Sequence, residues 1–330
     1  MFISRTPLRI SLFGGGTDFP SYYNEYGGLC LSATIDKYVY VIVKKRHDNA
    51  IRVSYSQTEF FYQIEYLKHD LIREAMKLMG VHRGVEIVTM ADVPGHGSGL
   101  ASSSAVTVGA LHALSCYNGA IDHLSGSSRT KIELARLATK IECDILGKTP
   151  GVQDQYSVAW GGLNLFSFKE DDFEIREIPW LPRWWMERLL LFQVPEIAVR
   201  DSQMILDDQN KRTSDNLSAL HGLKHLAEMG GEAIRKGEFD DLGPMLDEGW
   251  KLKRSLSSSI TTPQIDEMYQ IGLDAGSTGG KLCGAGGGGY ILFYCPRGVA
   301  PKVRAAMADY EAQELKFSIE SGGSVCKRLF

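Results

Sequence analysis

Three glycine-rich segments, each placed where a strand pattern ends, constrain this chain more than any other feature of its sequence. They are "LFGGGTDFP" (Leu12 to Pro20), "DVPGHGSGLASSSAVTVGALHAL" (Asp92 to Leu114) and "KLCGAGGGGYILFYC" (Lys281 to Cys295). Glycine packs nothing and costs backbone entropy, so it marks sharp turns or close approach to the backbone by a ligand or another loop. One such loop means little, but three at strand ends are not linkers.

The surrounding pattern is mixed α+β in both halves. "RISLF" (Arg9 to Phe13), "YVYVIVKKR" (Tyr38 to Arg46), "EIVTM" (Glu86 to Met90), "GLNLFSF" (Gly162 to Phe168) and "LLLFQV" (Leu189 to Val194) read as strands. Helical spacing runs over 63–79, over Ser103 to Tyr117, and over "TKIELARLATKIECDIL". In the last of these Leu134, Leu137, Ala138, Ile141 and Ile145 form an apolar stripe. A long helical region is expected over 202–256. A helix follows from Thr262 to Ala275, with Thr262–Pro263 as its start and Gly276 as its stop, and then strand, glycine loop, the strand "YILFYC", a helix from Ala300 to Glu314 and two short strands. At 330 residues the chain exceeds what one core usually serves. Two domains, 1–182 and 183–330, are expected, with the boundary in the tryptophan-rich "WLPRWW".

The second glycine segment carries the first chemical signal. Small residues from Gly95 to Ser104 end where a helix begins. This exposes unpaired amides at the positive end of a helix dipole with nothing bulky in the way, the physical outline of a phosphate cradle. It is neither a Walker A loop, since no "GK[ST]" follows, nor a dinucleotide "GxGxxG". The bland alternative is a flexible turn with a serine cap.

Two carboxylates stand out. Glu142 falls between Ala138 and Ile145 inside the apolar stripe, so it is expected to be partly buried and to need a partner. That partner is either a cation such as Arg136 or Lys140, or Mg²⁺, which takes one or two carboxylates plus phosphate oxygens. Asp154, after the turn in "TPGVQDQY", is expected in the first turn of a helix, where it stays ionised as a base, a cation ligand or a simple cap.

Bulk properties exclude other classes. A net charge of −4 argues against broad binding to nucleic acid or an anionic membrane. No signal peptide and no run of about 18 apolar residues is present, so a cytoplasmic location is expected. The six scattered cysteines form no C-x-x-C pair and read as reduced, buried thiols, and His221 and His225 lack the further ligands of a metal site.

Taken in order, "TPLRISLFGGGTD", "PGHGSGLASSSA", "GVQDQY" and "LCGAGGGGY" resemble the signature segments of the galactokinase, homoserine kinase, mevalonate kinase and phosphomevalonate kinase (GHMP) superfamily across essentially the whole chain. The triple glycine, "EYGG" (Glu25 to Gly28) and "GGKLCGAGGGGY" are most similar to bacterial sugar kinases of the D-glycero-D-manno-heptose 7-phosphate type. The resemblance implies a ribosomal-protein-S5-like N-terminal domain, a ferredoxin-like C-terminal domain, and ATP and sugar meeting between them. It implies phosphorylation of an anomeric hydroxyl, in the synthesis of nucleotide-activated heptose and surface polysaccharide, by a chain that takes a small sugar phosphate, no nucleic acid and no membrane, a homodimer being allowed.

Carried over residue by residue, the resemblance makes Pro94, Gly95, Gly97, Ser98, Gly99, Leu100, Ala101, Ser102, Ser103 and Ser104 the ATP phosphate loop. Ser103 is the best match to the serine that reaches Mg²⁺, with Ser102 and Ser104 as open neighbours, and Glu142 matches the Mg²⁺-binding glutamate. Asp154 matches the catalytic aspartate and Arg9 the basic residue beside it. Gly15, Gly16, Thr17 and Asp18, with Gly286 and Gly287, would face the sugar. Galactokinase-like relatives read Gly-Glu-His-Thr-Asp where this chain reads Gly14-Gly15-Gly16-Thr17-Asp18, so a larger or differently oriented sugar is expected in the vacated volume. Arg200 and Lys281 are the candidates for a second phosphate. The alternatives are a kinase for fucose, galactose or a related sugar, a mevalonate- or homoserine-type kinase, and a non-catalytic nucleotide- or sugar-binding regulator.

Overall fold

A computed structural model describes residues 1–94, 97–119, 126–148, 151–170, 172–178, 182–195 and 202–329. Of the residues singled out above, Gly95 and Arg200 lie outside them, as does Trp180 of the expected boundary segment.

The chain opens with β1 (Phe2–Phe13), α1 (Pro20–Tyr26) and β2 (Gly28–Lys45), followed by β3 (Ile51–Ser54), β4 (Thr58–Phe61), α2 (Asp70–Leu78) and β5 (Val85–Ala91). Then come α3 (Ser102–Asn118), α4 (Ser128–Thr139), α5 (Gln153–Trp160), β6 (Leu163–Phe168) and β7 (Phe173–Glu177). Among the described residues these strands make a sheet in the order β11-β1-β2-β5-β3-β4, where β11 (Val325–Arg328) is the last strand of the chain, and β6 pairs β2 and β7. Its organising strand is β2. The half of β2 nearer its N-terminus pairs β6 and the other half pairs β5, both antiparallel, while β1 runs along its other edge.

The second layer starts with α6 (Arg183–Met186), β8 (Leu189–Gln193), α7 (Ser202–Lys211), α8 (Leu217–Lys236) and α9 (Leu242–Ser255). It ends with α10 (Pro263–Asp274), β9 (Gly279–Leu282), β10 (Tyr290–Tyr294) and α11 (Ala300–Asp309). β8, β10 and β9 form an antiparallel sheet in that order. Thr262 caps α10 as its sequence predicts, accepting a hydrogen bond from the Ile265 amide at 3.2 Å, with Pro263 in the first turn.

Several elements depart from expectation for local reasons. The expected helix over 63–79 is a 3₁₀ turn at Ile64–Tyr66 and then α2, whereas the region over 202–256 is helical as expected and is divided into α7, α8 and α9. Among the described residues only one of the two closing strands forms. Residues 314 and 319 make single bridges, to Phe192 of the second sheet and to Ile35 of the first, because this stretch is crossing between the sheets. β11 then completes the crossing by pairing with β1.

Helix α3 is the central strut. Nearly all its faces are buried, and its small residues let it lie close on β1, where the Ser4 hydroxyl donates to the Gly109 carbonyl at 2.7 Å. One large apolar core joins the first sheet, α3 and parts of α8 and α9, and a second joins β8–β10 with α7 to α11 around the buried Trp250. No described helix is long and apolar enough to cross a membrane. None of the six cysteines forms a disulfide.

Candidate active site

Between the two sheets lies a cavity of about 970 Å³. Its walls include Arg9, Gly15, Gly16, Asp18, the loop and helix start from Gly97 to Ser104, Glu142, Asp154, Lys281 and the glycines from Gly284 to Gly288. The three glycine segments therefore converge on one place.

The first segment is a turn whose glycines serve the backbone. Gly14 has φ +83°, and a Cβ there would run into the Leu29 carbonyl. Inside the turn the Thr17 hydroxyl donates to the Gly14 and Leu29 carbonyls at 2.8 and 3.0 Å. Gly14, which the galactokinase-like pattern shares, thus serves the turn, and Gly15 and Gly16, the two positions without the relatives' side chains, line the cavity. Asp18, 2% exposed, accepts hydrogen bonds from the Gly16 amide at 2.9 Å and the Gln153 amide at 3.2 Å. It fixes this turn against the start of α5 and reaches the cavity wall already hydrogen-bonded. Thr17 is fully buried in the turn and is not part of that wall.

The second and third segments pack directly on one another. Gly99 has φ +70°, and a Cβ on it would meet the Cys283 carbonyl, while one on Gly284 would meet the Gly99 Cα. Close approach is therefore realised here as loop against loop. Ala101 follows with φ 64°, a left-handed conformation that costs a non-glycine residue about 1 kcal/mol or more. From this kink α3 departs with no side-chain cap, leaving its first amides to the cavity. Ser98 and Ser102 pair through their hydroxyls at 2.9 Å, Ser103 is exposed, and the Ser104 hydroxyl donates to Glu142 at 3.0 Å.

Glu142 sits on a π-helical turn, Lys140–Ile145, that continues α4. The extra residue in the turn breaks the 3.6-residue stripe, which is why Ile145 is 45% exposed whereas Glu142 is 2% exposed. Among the described residues no cation pairs with Glu142, so of the two alternatives the salt bridge to a residue such as Arg136 or Lys140 is not formed. Instead Oε2 accepts from Ser104 and, at 3.0 Å, from the Gln155 amide, and Oε1 is buried without any partner. Burial pushes the carboxyl up to about 7 against the pull of the Thr107, Ser104 and Gln155 side chains. An orphaned carboxylate oxygen on a cavity wall is costly unless a cation or proton completes it. The donor set therefore fits a hard divalent ion that also takes phosphate oxygens and water.

Asp154 enters in the first turn of α5, as expected. Arg9 grips it in a fork, Nε to Oδ1 at 2.8 Å and Nη2 to Oδ2 at 2.7 Å, while Nη1 donates to the Gly99 carbonyl at 2.8 Å. The Arg9 amide also donates to the Leu100 carbonyl at 3.0 Å. Burial raises the Asp154 pKa and the nearby Asp18 adds to this, with Arg9 opposing.

Sequence reasoning missed two residues. Gln155 is fully buried and orients Glu142. Lys253, on α9, is 8% exposed, lines the cavity and donates to Gln209 Oε1 at 2.6 Å. Lys281 lines the cavity and donates to the Leu12 carbonyl at 3.2 Å. Val39, Met90, Val93 and Val106 add apolar side chains to the cavity lining. His221 is engaged by the Tyr22 hydroxyl at 2.7 Å.

Residues 65–162 match the family described as GHMP kinases N terminal domain, and residues 232–313 match GHMP kinases C terminal. The chain is 29% identical over 308 residues to the D-glycero-alpha-D-manno-heptose 7-phosphate kinase of Campylobacter jejuni, covering 88% of each chain. It is 24% identical over 336 residues to a mevalonate kinase of Thermococcus sibiricus, covering 93% of this chain and 91% of that one. Among solved structures, a D-glycero-D-manno-heptose 1-phosphate kinase from Bacteroides thetaiotaomicron superposes with a TM-score of 0.80 at 25% identity over all of both chains.

Proposed function

The chain belongs to the GHMP kinase family and is an ATP-dependent phosphotransferase to an alcohol acceptor; from that premise we propose that it phosphorylates the anomeric hydroxyl of a heptose already carrying a phosphate, of the D-glycero-D-manno-heptose 7-phosphate class. The observation that carries the chemistry is the Arg9–Asp154 fork, set on the same cavity wall as the incompletely satisfied Glu142. The sugar class rests on the relative from Campylobacter jejuni and on the "GGGTD" turn.

In this reading the uncapped start of α3 and the glycine loop before it receive the nucleotide phosphates, the Leu100 amide being taken by the Ser98 hydroxyl at 3.3 Å. The apolar lining residues Val39, Met90, Val93 and Val106 take the base. Glu142 and Ser103 hold Mg²⁺, and Ser104 and Gln155 orient Glu142 from behind. When bound, Mg²⁺ supplies charge neutralisation on the transferred phosphoryl group.

Phosphoryl transfer asks the protein mostly for positioning and charge. Asp154 accepts the proton of the sugar hydroxyl at a carboxylate oxygen, and its raised pKa makes it a better acceptor than an exposed aspartate. Arg9 fixes the plane of that carboxylate and, through the Gly99 carbonyl, its distance from the phosphate loop. Asp18 is held by backbone amides and presents its remaining lone pairs to sugar hydroxyls.

The test is ADP release with a panel of heptose 7-phosphate, mannose, galactose, fucose, mevalonate and homoserine. The highest kcat/KM is expected for the heptose 7-phosphate. Comparable values for a free hexose overturn the sugar assignment, and preference for mevalonate or homoserine overturns the sugar class itself.

A further inference from the structure

Lys253 and Lys281 stand on different elements, α9 and β9, and both reach the wall of the same cavity. Among the described residues no carboxylate lies within ion-pairing distance of either ammonium group. Lys253 is held by Gln209, whose own amide donates to the Ala285 carbonyl of the third glycine loop at 3.2 Å, and Lys281 is held by the Leu12 carbonyl. Two like charges, Lys253 buried and Lys281 half-buried, with only neutral hydrogen-bond acceptors are a costly arrangement. Neither has a role in the proton transfer or in holding Mg²⁺.

We propose that Lys253 and Lys281 together form the seat for the remote phosphate of the acceptor, with Gln209 fixing Lys253 in place. The inference rests on the phosphotransferase reading of the cavity and adds to it a site on the side of the "GGGTD" turn. A Cβ on Gly16 would lie 3.8 Å from Lys253 Nζ, so the missing side chain leaves that ammonium open to the cavity. A dianionic phosphate monoester matches two point charges that can each turn three donors toward it, and its binding relieves their mutual repulsion. Burial and mutual repulsion pull Lys253 down to about 8, and burial with Arg9 nearby does the same for Lys281. Asp18 and Cys30 face both lysines, and Cys283 faces Lys281.

The test uses the full chain with saturating Mg²⁺ and a non-hydrolysable ATP analogue, which keep the nucleotide triphosphate positions filled. Thermal shifts are measured against inorganic phosphate and mannose 6-phosphate, with mannose and sodium chloride at equal ionic strength as controls. Wild type is expected to be stabilised by both phosphates and by neither control. Lys253→Met and Lys281→Met are each expected to weaken the apparent Kd for mannose 6-phosphate about 10- to 100-fold, the loss of one charge-assisted contact. Equal affinity in wild type and both variants, or no response of wild type to either phosphate, overturns the seat. Should the variants not fold, wild type alone decides. Its affinity for the dianion falls as pH rises through about 8 if the lysines bind it, and a flat profile from pH 7 to 9.5 overturns the proposal. Turnover is read separately, so absence of ADP release with every acceptor overturns the proposed reaction and not the anion seat.

Discussion

The guanidinium of Arg9 holds the Asp154 carboxylate with two donors and the Gly99 carbonyl with a third. One side chain thus sets the distance between the proposed base and the proposed phosphate loop, two parts contributed by α5 and by the approach to α3. Asp154→Asn keeps the shape and removes the proton acceptor. It is expected to lower kcat by about 10²- to 10⁴-fold while leaving ATP affinity nearly unchanged. Retention of more than about a tenth of wild-type kcat, a loss of only about 1.4 kcal/mol, would remove Asp154 from that role.

Glu142 and its neighbours separate ligand from support. Glu142→Gln is expected to raise the Mg²⁺ concentration for half-maximal rate more than Ser103→Ala, because a charged ligand is lost. Gln155→Met removes only a hydrogen bond to Glu142 and is expected to raise it about 10- to 100-fold. The check is initial rate against free Mg²⁺ at saturating ATP. Unchanged Mg²⁺ dependence in the Glu142 and Ser103 variants would leave Glu142 as a structural buried acid.

The packing of the second glycine loop on the third predicts a stability effect that a solvent-facing glycine does not share. Gly99→Ala combines a left-handed backbone with a Cβ forced against the Cys283 carbonyl, and is expected to cost about 2 kcal/mol or more and to raise the KM for ATP. Gly298 has φ +82°, but a Cβ there would find nothing within 4 Å, so Gly298→Ala should cost about 1 kcal/mol and leave the KM unchanged. Denaturant midpoints of the two variants, with ATP kinetics, check both.

What the sequence disclosed depended on how local the signal was. The glycine loops, the "GVQDQY" aspartate and the serine run at a helix start are local patterns, and they meet where expected. The loop-against-loop contact between Gly99 and Gly284 joins residues far apart in the chain, so sequence allowed only the alternatives of a ligand or another loop. The stripe reasoning that picked out Glu142 assumed a regular helix. The acid is buried as inferred, but Ile145 is not, because a π turn rotates the face. The same reasoning applied to α9 would have found Lys253, which follows Leu246 and Trp250 on the buried side of that helix. It went unread because lysines are normally solvated and nothing nearby in sequence marked this one. The pairing of β11 with β1 has no local signature at all, since four residues at the chain's end find a partner at its beginning.

The two cavity lysines predict a stability profile with a definite sign. In the unfolded chain each titrates near its ordinary 10.5, but in the fold near about 8. Between these values the unfolded state binds more protons, so the contribution of these groups to stability rises with pH. The cost of holding them charged is fully present below about 8 and fades as pH climbs toward 10.5. Lys253→Met, which removes one charge without changing the length of the side chain much, should therefore stabilise the unliganded protein at pH 7, by at most roughly 3 kcal/mol. The advantage should shrink steadily at pH 9 and above. Saturating mannose 6-phosphate should erase it at pH 7, because the bound anion compensates the wild-type charge. Urea unfolding of both proteins from pH 7 to 10, with and without the sugar phosphate, measures all three. A variant less stable than wild type at pH 7 would show that Lys253 is held by interactions worth more than its burial costs.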